Sequence, residues 1–114
     1  MIKLLERDLQ KQVVAWVKVA FNDRVRVVAS MNAAARKPHT GKMLILEGMW
    51  SGDPDLKIMW GNNQFGHIEL KTGKNKPTDS QLEMIEWMRQ HNMLVEVCYS
   101  LEEVQNVFKK WGIK

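Results

Sequence analysis

An acidic and a basic residue stand two positions apart at the end of a short apolar segment. The segment is HIELK, residues 67–71, in which Glu69 and Lys71 alternate with Ile68 and Leu70. Residues two apart in a β-strand point to the same side, so a strand here would place the carboxylate and the ammonium on one face. An exposed ion pair is the simpler interpretation, because an E-x-K triplet is expected by chance in a chain of this composition. The alternative is one half of a metal-dependent phosphodiesterase centre.

The surrounding sequence predicts a hairpin, and this hairpin would bring a second carboxylate close to Glu69. Residues 55–60, DLKIMW, and residues 64–71, QFGHIELK, are two strand-like runs separated by a GNN turn. A turn centred on Asn62 places Asp55 opposite Glu69, with Cβ atoms about 5 Å apart. A register shift of one residue would put the two carboxylates on opposite faces of the sheet.

Two carboxylates so close together repel one another unless a proton or a cation lies between them. Hard divalent cations such as Mg²⁺ or Mn²⁺ prefer carboxylate, carbonyl and water oxygens, and they lower the pKa of a bound water. Lys71 could orient that water or offset negative charge in the transition state. The pattern therefore indicates Mg²⁺- or Mn²⁺-dependent hydrolysis, and two solvated acids on a hairpin remain the alternative.

Two further polar residues could reach such a centre from neighbouring helices. Glu6 lies beside the apolar stripe of the first predicted helix, where it is either the polar margin of that helix or an additional carboxylate for the metal. Gln81 stands three residues after Thr78, which is the spacing of a capping box, and its alternative role is to reach towards the metal or a bound phosphate. The histidines have no zinc-like spacing, and no phosphate-cradling G-x-x-x-x-G-K-[ST] motif is present.

The chain is mildly basic, and its charges are unevenly distributed. Its 17 Lys and Arg residues exceed its 13 Asp and Glu residues, a balance that permits a polyanionic partner without requiring one. Two loop-like segments concentrate positive charge, and solvated loops are the alternative interpretation. They supply the candidate nucleic-acid-binding residues Arg36, Lys37, Lys42, Lys74 and Lys76. Among the tryptophans, Trp50 is a candidate base-stacking residue because it stands in a turn-rich segment just ahead of Asp55.

Periodicity predicts the elements that must position these residues. Helical spacing runs through residues 2–20, a β-branched strand follows at 25–31, and residues 32–47 read as a long loop with a short strand near MLIL. After the hairpin come a helix that begins after Pro77, with Leu82, Ile85 and Met88 as its inner stripe, an apolar strand at 93–99 and a closing helix. The order α-β-(loop)-β-β-α-β-α favours an α/β fold with one mixed sheet flanked by helices.

Length and composition limit the classes of protein to which the chain can belong. A chain of 114 residues suffices for one domain with its own core, so we expect a single domain over residues 1–114. No run of 18 apolar residues occurs, so no membrane span is predicted. Cys98 is the single cysteine, which excludes a disulfide framework and favours a reducing, cytoplasmic location.

Taken in order, these motifs resemble those of the virus-type replication-repair nuclease (VRR-NUC) family, within the PD-(D/E)XK or restriction-endonuclease-like nucleases. The central match is PD at 54–55 followed by ELK at 69–71. The wider match adds Glu6, Gln10 and Asn32, GMWSGDPDL at 48–56, ELKTGKNKPTDSQ at 69–81 and the closing helix. Nearly the whole chain is covered by the resemblance.

The resemblance implies a restriction-endonuclease-like core and a Mg²⁺- or Mn²⁺-dependent DNA endonuclease. The metal would be surrounded by Glu6, Asp55, Glu69 and the backbone carbonyl of Leu70. The implied catalytic residues are Asp55, Glu69, Lys71, which would act on the attacking water, and Gln81, which would support the centre. Gly48 and Gly52 would shape the turn that delivers Asp55, and Asp53 departs from the family pattern as a competing acid.

The resemblance also implies a class of substrate. Stand-alone members of the family are similar in size, are associated with phages and bacteria, and resemble Holliday-junction resolvases. Branched DNA such as Holliday junctions, a role in DNA repair and a homodimer are therefore expected, since a four-way junction has approximate two-fold symmetry. A nicking or flap nuclease of other specificity and a non-catalytic nucleic-acid-binding module stay open.

Overall fold

The elements of the fold are taken from a computed structural model, which describes residues 4–30 and 50–114. They are α1 (Glu6–Phe21), β1 (Arg26–Ala29), β2 (Leu56–Gly61), β3 (Gln64–Leu70), α2 (Asp79–Gln90), β4 (Leu94–Cys98) and α3 (Leu101–Lys110), with a 3-10 turn (Asn22–Arg24) after α1. The predicted loop at 32–47 and its short strand lie outside the described residues. Within the two described ranges, no helix is long and apolar enough to cross a membrane.

The four described strands form one mixed sheet in the order β1-β2-β3-β4. β2 pairs antiparallel with β1 and β3, whereas β3 and β4 pair in parallel. Parallel neighbours need a crossover connection, and α2 is the helix in that connection. The predicted α/β fold with a mixed sheet and flanking helices is therefore confirmed.

The register of the β2–β3 hairpin decides which side chains meet at its open end. Leu56 pairs with Ile68, and one further step along both strands places Asp55 opposite Glu69. Asn62 and its successor in the turn have φ angles of 51° and 60°, the left-handed conformation that asparagine tolerates well in hairpin turns. The register predicted from a turn centred on Asn62 is thus confirmed.

The main hydrophobic core joins α1 and α3 to one face of the sheet. In α1, Leu9, Val13 and Val17 recur every four residues and are buried as a single stripe. They belong to the same buried cluster as Leu56, Ile58, Ile68 and Leu70 of the hairpin and Val104 and Phe108 of α3. Because side chains alternate along a strand, the residues between these, Glu69 among them, face the other side of the sheet.

α2 packs on that other side, against β4. Ile85 and Met88 form a second buried cluster with Val95, and Met84 packs beside it. The prediction that Leu82 belongs to the inner stripe of this helix is wrong, because its side chain is 51% exposed. At about 100° per residue, Met84 and Met88 lie on one side of Ile85 and Leu82 lies on the other, away from the sheet.

Side-chain caps fix where α2 and α3 begin. Thr78 Oγ1 accepts a hydrogen bond from the backbone N–H of Gln81 at 3.3 Å, and Gln81 Oε1 accepts one from the backbone N–H of Thr78 at 2.8 Å. This is the predicted capping box. At α3, Ser100 Oγ accepts a hydrogen bond from the backbone N–H of Glu103 at 3.1 Å.

Gly52 allows the segment before β2 to lie directly against the start of α2. Its φ is +86°, and a Cβ at this position would overlap the carbonyl oxygen of Ser80. Only glycine satisfies both the backbone conformation and the close approach. The predicted role of Gly52 in shaping the turn before Asp55 agrees with this geometry.

The variants Gly52→Ala and Gly61→Ala separate the effect of the positive φ from the effect of the close approach to α2. Gly61 has a φ of +96° but nothing within 4 Å of an added Cβ, so the two variants share only the strain of a positive φ, about 1–2 kcal/mol. We expect Gly52→Ala to lower the free energy of unfolding by about 1–3 kcal/mol more than Gly61→Ala, because only Gly52→Ala forces the helix and the segment apart. Urea unfolding measures both, and equal losses would contradict the close approach.

Candidate functional site

Reciprocal hydrogen bonds join Asp55 and Glu69 at the open end of the hairpin. Asp55 Oδ2 accepts a hydrogen bond from the backbone N–H of Leu70 at 2.8 Å, and Glu69 Oε1 accepts one from the backbone N–H of Asp55 at 3.2 Å. Each carboxylate is therefore oriented by the backbone of the opposite strand. The arrangement leaves one oxygen of each carboxylate outside these two bonds.

Glu69 is a buried acid, with 1% of its surface exposed. Its Oε2 atom is buried and has no hydrogen-bond partner among the described residues. The Lys71 ammonium lies with its Nζ at 3.5 Å from Oε2, which is an ion pair rather than a close hydrogen bond. A buried carboxylate oxygen without a donor is costly, and a cation bound to it would remove that cost.

The pKa values of both acids reflect this crowding. Burial, and after it the negative charge of Asp55, raise the pKa of Glu69 to about 8 against the opposing charge of Lys71. Burial also raises the pKa of Asp55, against the hydrogen bond from the backbone of Leu70. A site in which two carboxylates resist ionisation favours a proton or a cation between them.

Lys71 and Glu6 complete the charged cluster. Lys71 is 7% exposed, and its Nζ lies 3.5 Å from Glu69 and 4.0 Å from Glu6 Oε1. Glu6 is the first residue of α1, and its charge contributes to the raised pKa of Asp55. The structure thus brings Glu6 to the centre, on the side of the ammonium. No three His, Cys, Asp or Glu side chains form a ready metal cage in the part of the chain that the structure describes.

The loop after Lys71 is tied to two other elements through Asn75. Asn75 Nδ2 donates to Glu6 Oε2 at 3.4 Å, and Tyr99 Oη donates to the backbone carbonyl of Asn75 at 2.8 Å. The loop also closes on itself, because the backbone N–H of Asn75 donates to the carbonyl of Thr72 at 3.2 Å. Sequence reasoning missed these positioning contacts of Asn75 and Tyr99, and no local pattern could have indicated them.

Asp53, the acid that could take the role assigned to Asp55, has different neighbours from Asp55. Ser30 Oγ, just after β1, donates to Asp53 Oδ2 at 3.0 Å. The charge of Asp53 also acts on His67, whose pKa burial lowers and Asp53 raises. Asp55, by contrast, is bonded to β3 beside Glu69. This difference favours Asp55 as the partner of Glu69.

The remaining predicted site residues differ in exposure, in bonding and in whether the structure describes them. Lys74 and Lys76 are exposed in the loop that follows Lys71. The side-chain oxygen of Gln81 is bonded in the capping box, so its action on the centre stays a prediction, as does that of the Leu70 carbonyl. Outside the described residues lie Asn32, Arg36, Lys37, Lys42 and Gly48.

The donor set fits a hard divalent cation. Asp55 and Glu69 come from the two strands of one hairpin and present oxygen atoms, which Mg²⁺ and Mn²⁺ prefer to nitrogen or sulfur. The unbonded, buried Oε2 of Glu69 is the observation that a cation would explain. Lys71 then lies within reach of whatever the cation binds.

Glu69→Gln tests the electrostatics of the metal-free centre. Because the folded pKa of about 8 lies above the ordinary value of 4.5, protonation of Glu69 contributes stability that is complete below pH 4.5 and is lost as the pH rises through 8. The Gln variant resembles the protonated acid. We expect the Gln variant and the parent to have the same free energy of unfolding near pH 5. At pH 9 we expect the free energy of unfolding of the variant to be higher by roughly 1–3 kcal/mol.

Urea unfolding in the presence of a chelator measures this difference at each pH. The matched control is Glu86→Gln, which changes an exposed carboxylate on α2 and should leave the pH dependence of stability unchanged. A difference between Glu69→Gln and the parent that is the same at both pH values would contradict the raised pKa.

Comparisons with known proteins identify the family of the chain and a structure that shares its fold. The VRR-NUC domain family matches residues 1–102 of the chain. A solved structure described as a "VRR_NUC domain protein" superposes with a TM-score of 0.71 at 23% sequence identity, over 97% of this chain and 90% of that one, which shows a shared fold. A search among curated proteins found no match. The chain therefore belongs to the VRR-NUC domain family of nucleases, as its PD…ELK pattern predicts.

Proposed function

We propose that the chain is a metal-dependent DNA endonuclease, a single domain over residues 1–114, that hydrolyses phosphodiester bonds in branched DNA such as Holliday junctions. The observation that carries the proposal is the pairing of Asp55 and Glu69 around a buried, unbonded carboxylate oxygen, with the Lys71 ammonium 3.5 Å away. Membership of a nuclease family supports DNA as the substrate.

Asp55 and Glu69 are the main ligands in this proposal, with Glu6 and the Leu70 carbonyl as further ligands. Bound Mg²⁺ or Mn²⁺ supplies Lewis-acid polarisation of a phosphoryl oxygen and lowers the pKa of a bound water. Glu69 would hold the metal, and Lys71 would act beside it on the water and the phosphate; the two side chains lie 3.5 Å apart. Because both side chains are buried, little bulk water competes at the centre.

Lys71 acts on the attacking water and on the charge that develops at phosphorus. Its ammonium lies between the carboxylates of Glu69 and Glu6, which holds it in place before substrate arrives. A preorganised cation of this kind stabilises a transition state without reorganising at the moment of reaction. Gln81 would support the centre from the start of α2.

Phosphates on either side of the cut would contact the basic side chains around the centre. Lys74 and Lys76 are exposed in the loop that Asn75 anchors, and Arg36, Lys37 and Lys42 are assigned to the same task from the sequence. Contacts to phosphates carry preference for shape but not for base sequence, and they make binding salt-sensitive. A homodimer would match the two-fold symmetry of a four-way junction.

Cleavage by site variants tests the proposed roles. Glu69→Gln and Lys71→Met should each lower the rate of cutting by about 100-fold or more, because each removes a preorganised group from the transition state. Junction binding in Ca²⁺ should persist. The matched control is Lys57→Met, which removes an exposed lysine that lies over Phe65 on the same hairpin.

Branched, flapped and linear duplexes, each incubated with and without Mn²⁺, are the substrates for this comparison. Cutting by Lys71→Met or Glu69→Gln at the parent rate would contradict the site assignment. Metal-independent binding without cleavage by the parent would favour a non-catalytic module, and cutting confined to flaps or single nicks would favour a nuclease of other specificity.

Stabilisation by Mn²⁺ tests metal binding without DNA. Glu69 must lose its proton before it binds a cation, so we expect the rise in thermal midpoint with Mn²⁺ to grow as the pH approaches 8. At about 100 times the dissociation constant the gain in stability is about 2.7 kcal/mol. Differential scanning fluorimetry measures it. An equal rise in an Asp55→Asn, Glu69→Gln double variant would show that the ion binds elsewhere.

A further inference from the structure

A cavity between the segment before β2 and α2 is lined by two tryptophans. Its volume is about 320 Å³. The segment before β2 forms one wall and the outer surface of α2 forms the other. Among the described residues, those that line it are Trp50, Ser51, Ser80, Glu83, Met84 and Trp87.

The two tryptophans of the cavity do not serve the hydrophobic core. Trp50 is 73% exposed and Trp87 is 52% exposed. Trp16, Trp60 and Trp111, by contrast, pack against the main core cluster. Within residues 4–30 and 50–114, neither buried cluster includes the indoles of Trp50 and Trp87, which are exposed around a concave space.

Trp87 is held ready for a ligand. Its indole stacks on the imidazole of His91, with ring centroids 4.0 Å apart and planes 24° from parallel. His91 Nδ1 lies 2.7 Å from the carbonyl oxygen of Trp87, one helical turn earlier, which fixes the imidazole in turn. One face of the indole is therefore supported from behind, and ordering it on binding costs little conformational entropy.

The cavity lies within reach of the proposed cleavage centre. The backbone N–H of Asp53 donates to the carbonyl of Trp50 at 3.2 Å, which closes a turn, and Asp55 follows two residues later. A turn spans less than about 7 Å and two further residues add about 7 Å at most, so the Cα atoms of Trp50 and Asp55 are no more than roughly 14 Å apart. A DNA strand with its phosphate at Asp55 and Glu69 can place a nearby nucleotide in the cavity.

The chemistry of the walls suits a nucleobase better than a phosphate. Indole faces stack with any base. The Glu83 carboxylate repels a phosphate but accepts hydrogen bonds from the N–H groups on the edge of a base, and the hydroxyls of Ser51 and Ser80 both donate and accept. A base inside a duplex has its faces stacked and its Watson–Crick edge paired, whereas an unpaired base offers both.

We propose that this cavity is a base pocket that receives one unpaired nucleobase of the DNA strand near the phosphodiester that is cut. The base stacks on the indoles of Trp50 and Trp87 while Glu83 accepts a hydrogen bond from its edge. This inference rests on the proposed function and deepens it, because it makes an unpaired nucleotide beside the cut part of what the centre recognises.

The test compares DNA affinity across variants and substrates. Trp50→Leu and Trp87→Leu are assayed by fluorescence anisotropy in Ca²⁺ on a fully paired duplex, on the same duplex with a short unpaired flap, and on that flap with an abasic nucleotide. The matched control is Phe65→Leu, which removes an aromatic side chain that is 43% exposed on β3 and does not line the cavity. Circular dichroism and the thermal midpoint report whether each variant folds.

We expect each tryptophan variant to bind the flapped duplex about tenfold more weakly than the parent, with little change on the paired duplex. Phe65→Leu should bind like the parent, and the abasic flap should reduce binding by the parent as much as the tryptophan variants do. Folding should persist in both variants because Trp50 and Trp87 are more than half exposed.

Three results would overturn the base pocket. Equal losses on the paired and flapped duplexes would indicate contact with the backbone or with duplex ends. Unchanged affinity in variants of a parent that cuts DNA would reject the pocket and leave the proposed function standing. A changed molecular mass by light scattering with unchanged DNA affinity would identify the two tryptophans as a protein interface. Failure of the parent to cut any DNA, with flap binding still dependent on the tryptophans, would reject the proposed function alone.

Discussion

Two hydrogen bonds across the open end of the β2–β3 hairpin hold the carboxylates of Asp55 and Glu69 together, and the properties of the centre follow from that proximity. Each acid is oriented by the backbone of the opposite strand, so neither can turn away without losing a bond inside a buried region. Burial then raises the pKa of both acids, and the charge of Asp55 raises that of Glu69 further. Lys71 offsets part of the repulsion from 3.5 Å, but it leaves Glu69 Oε2 without a hydrogen bond. A proton or a divalent cation between the two carboxylates would relieve this crowding, and the proposed function requires the cation.

The rest of the fold serves to bring other groups to this end of the sheet. α1 begins at Glu6, so its first side chain reaches the ammonium of Lys71. The loop after Lys71 is held by Asn75, which bonds both α1 and Tyr99 after β4. On the other side, Gly52 lets the chain pass close to the start of α2 before it delivers Asp55. α1, the loop after Lys71 and the segment that contains Gly52 therefore position groups at this end of the sheet. One face of the sheet packs against α1 and α3, and a second buried cluster joins α2 to β4.

Local rules predicted much of this arrangement, and long-range packing explains what they missed. The hairpin register followed from the position of Asn62 and the alternation of side chains, and the capping box followed from the spacing of Thr78 and Gln81, because both depend only on neighbouring residues. The prediction of the inner stripe of α2 was wrong at Leu82, because the rotation of a helix about its axis depends on the shape of the sheet surface on which it packs. From the sequence, Glu6 could be either a polar margin of α1 or a metal ligand. The position of α1 brings its carboxylate to 4.0 Å from the Lys71 ammonium, and its role as a ligand stays a prediction. The contact between Asn75 and Glu6 joins residues 69 positions apart, which no local pattern encodes.

The most direct test of the central claim is anomalous diffraction from a crystal soaked in Mn²⁺ near pH 8, the pKa of Glu69 in the metal-free protein. The account predicts an anomalous peak bound by carboxylate oxygens of both Asp55 and Glu69, with Lys71 beside it. A fully occupied peak bound by Asp53 instead, or no peak at saturating Mn²⁺ with the two carboxylates still hydrogen-bonded as described, would contradict it.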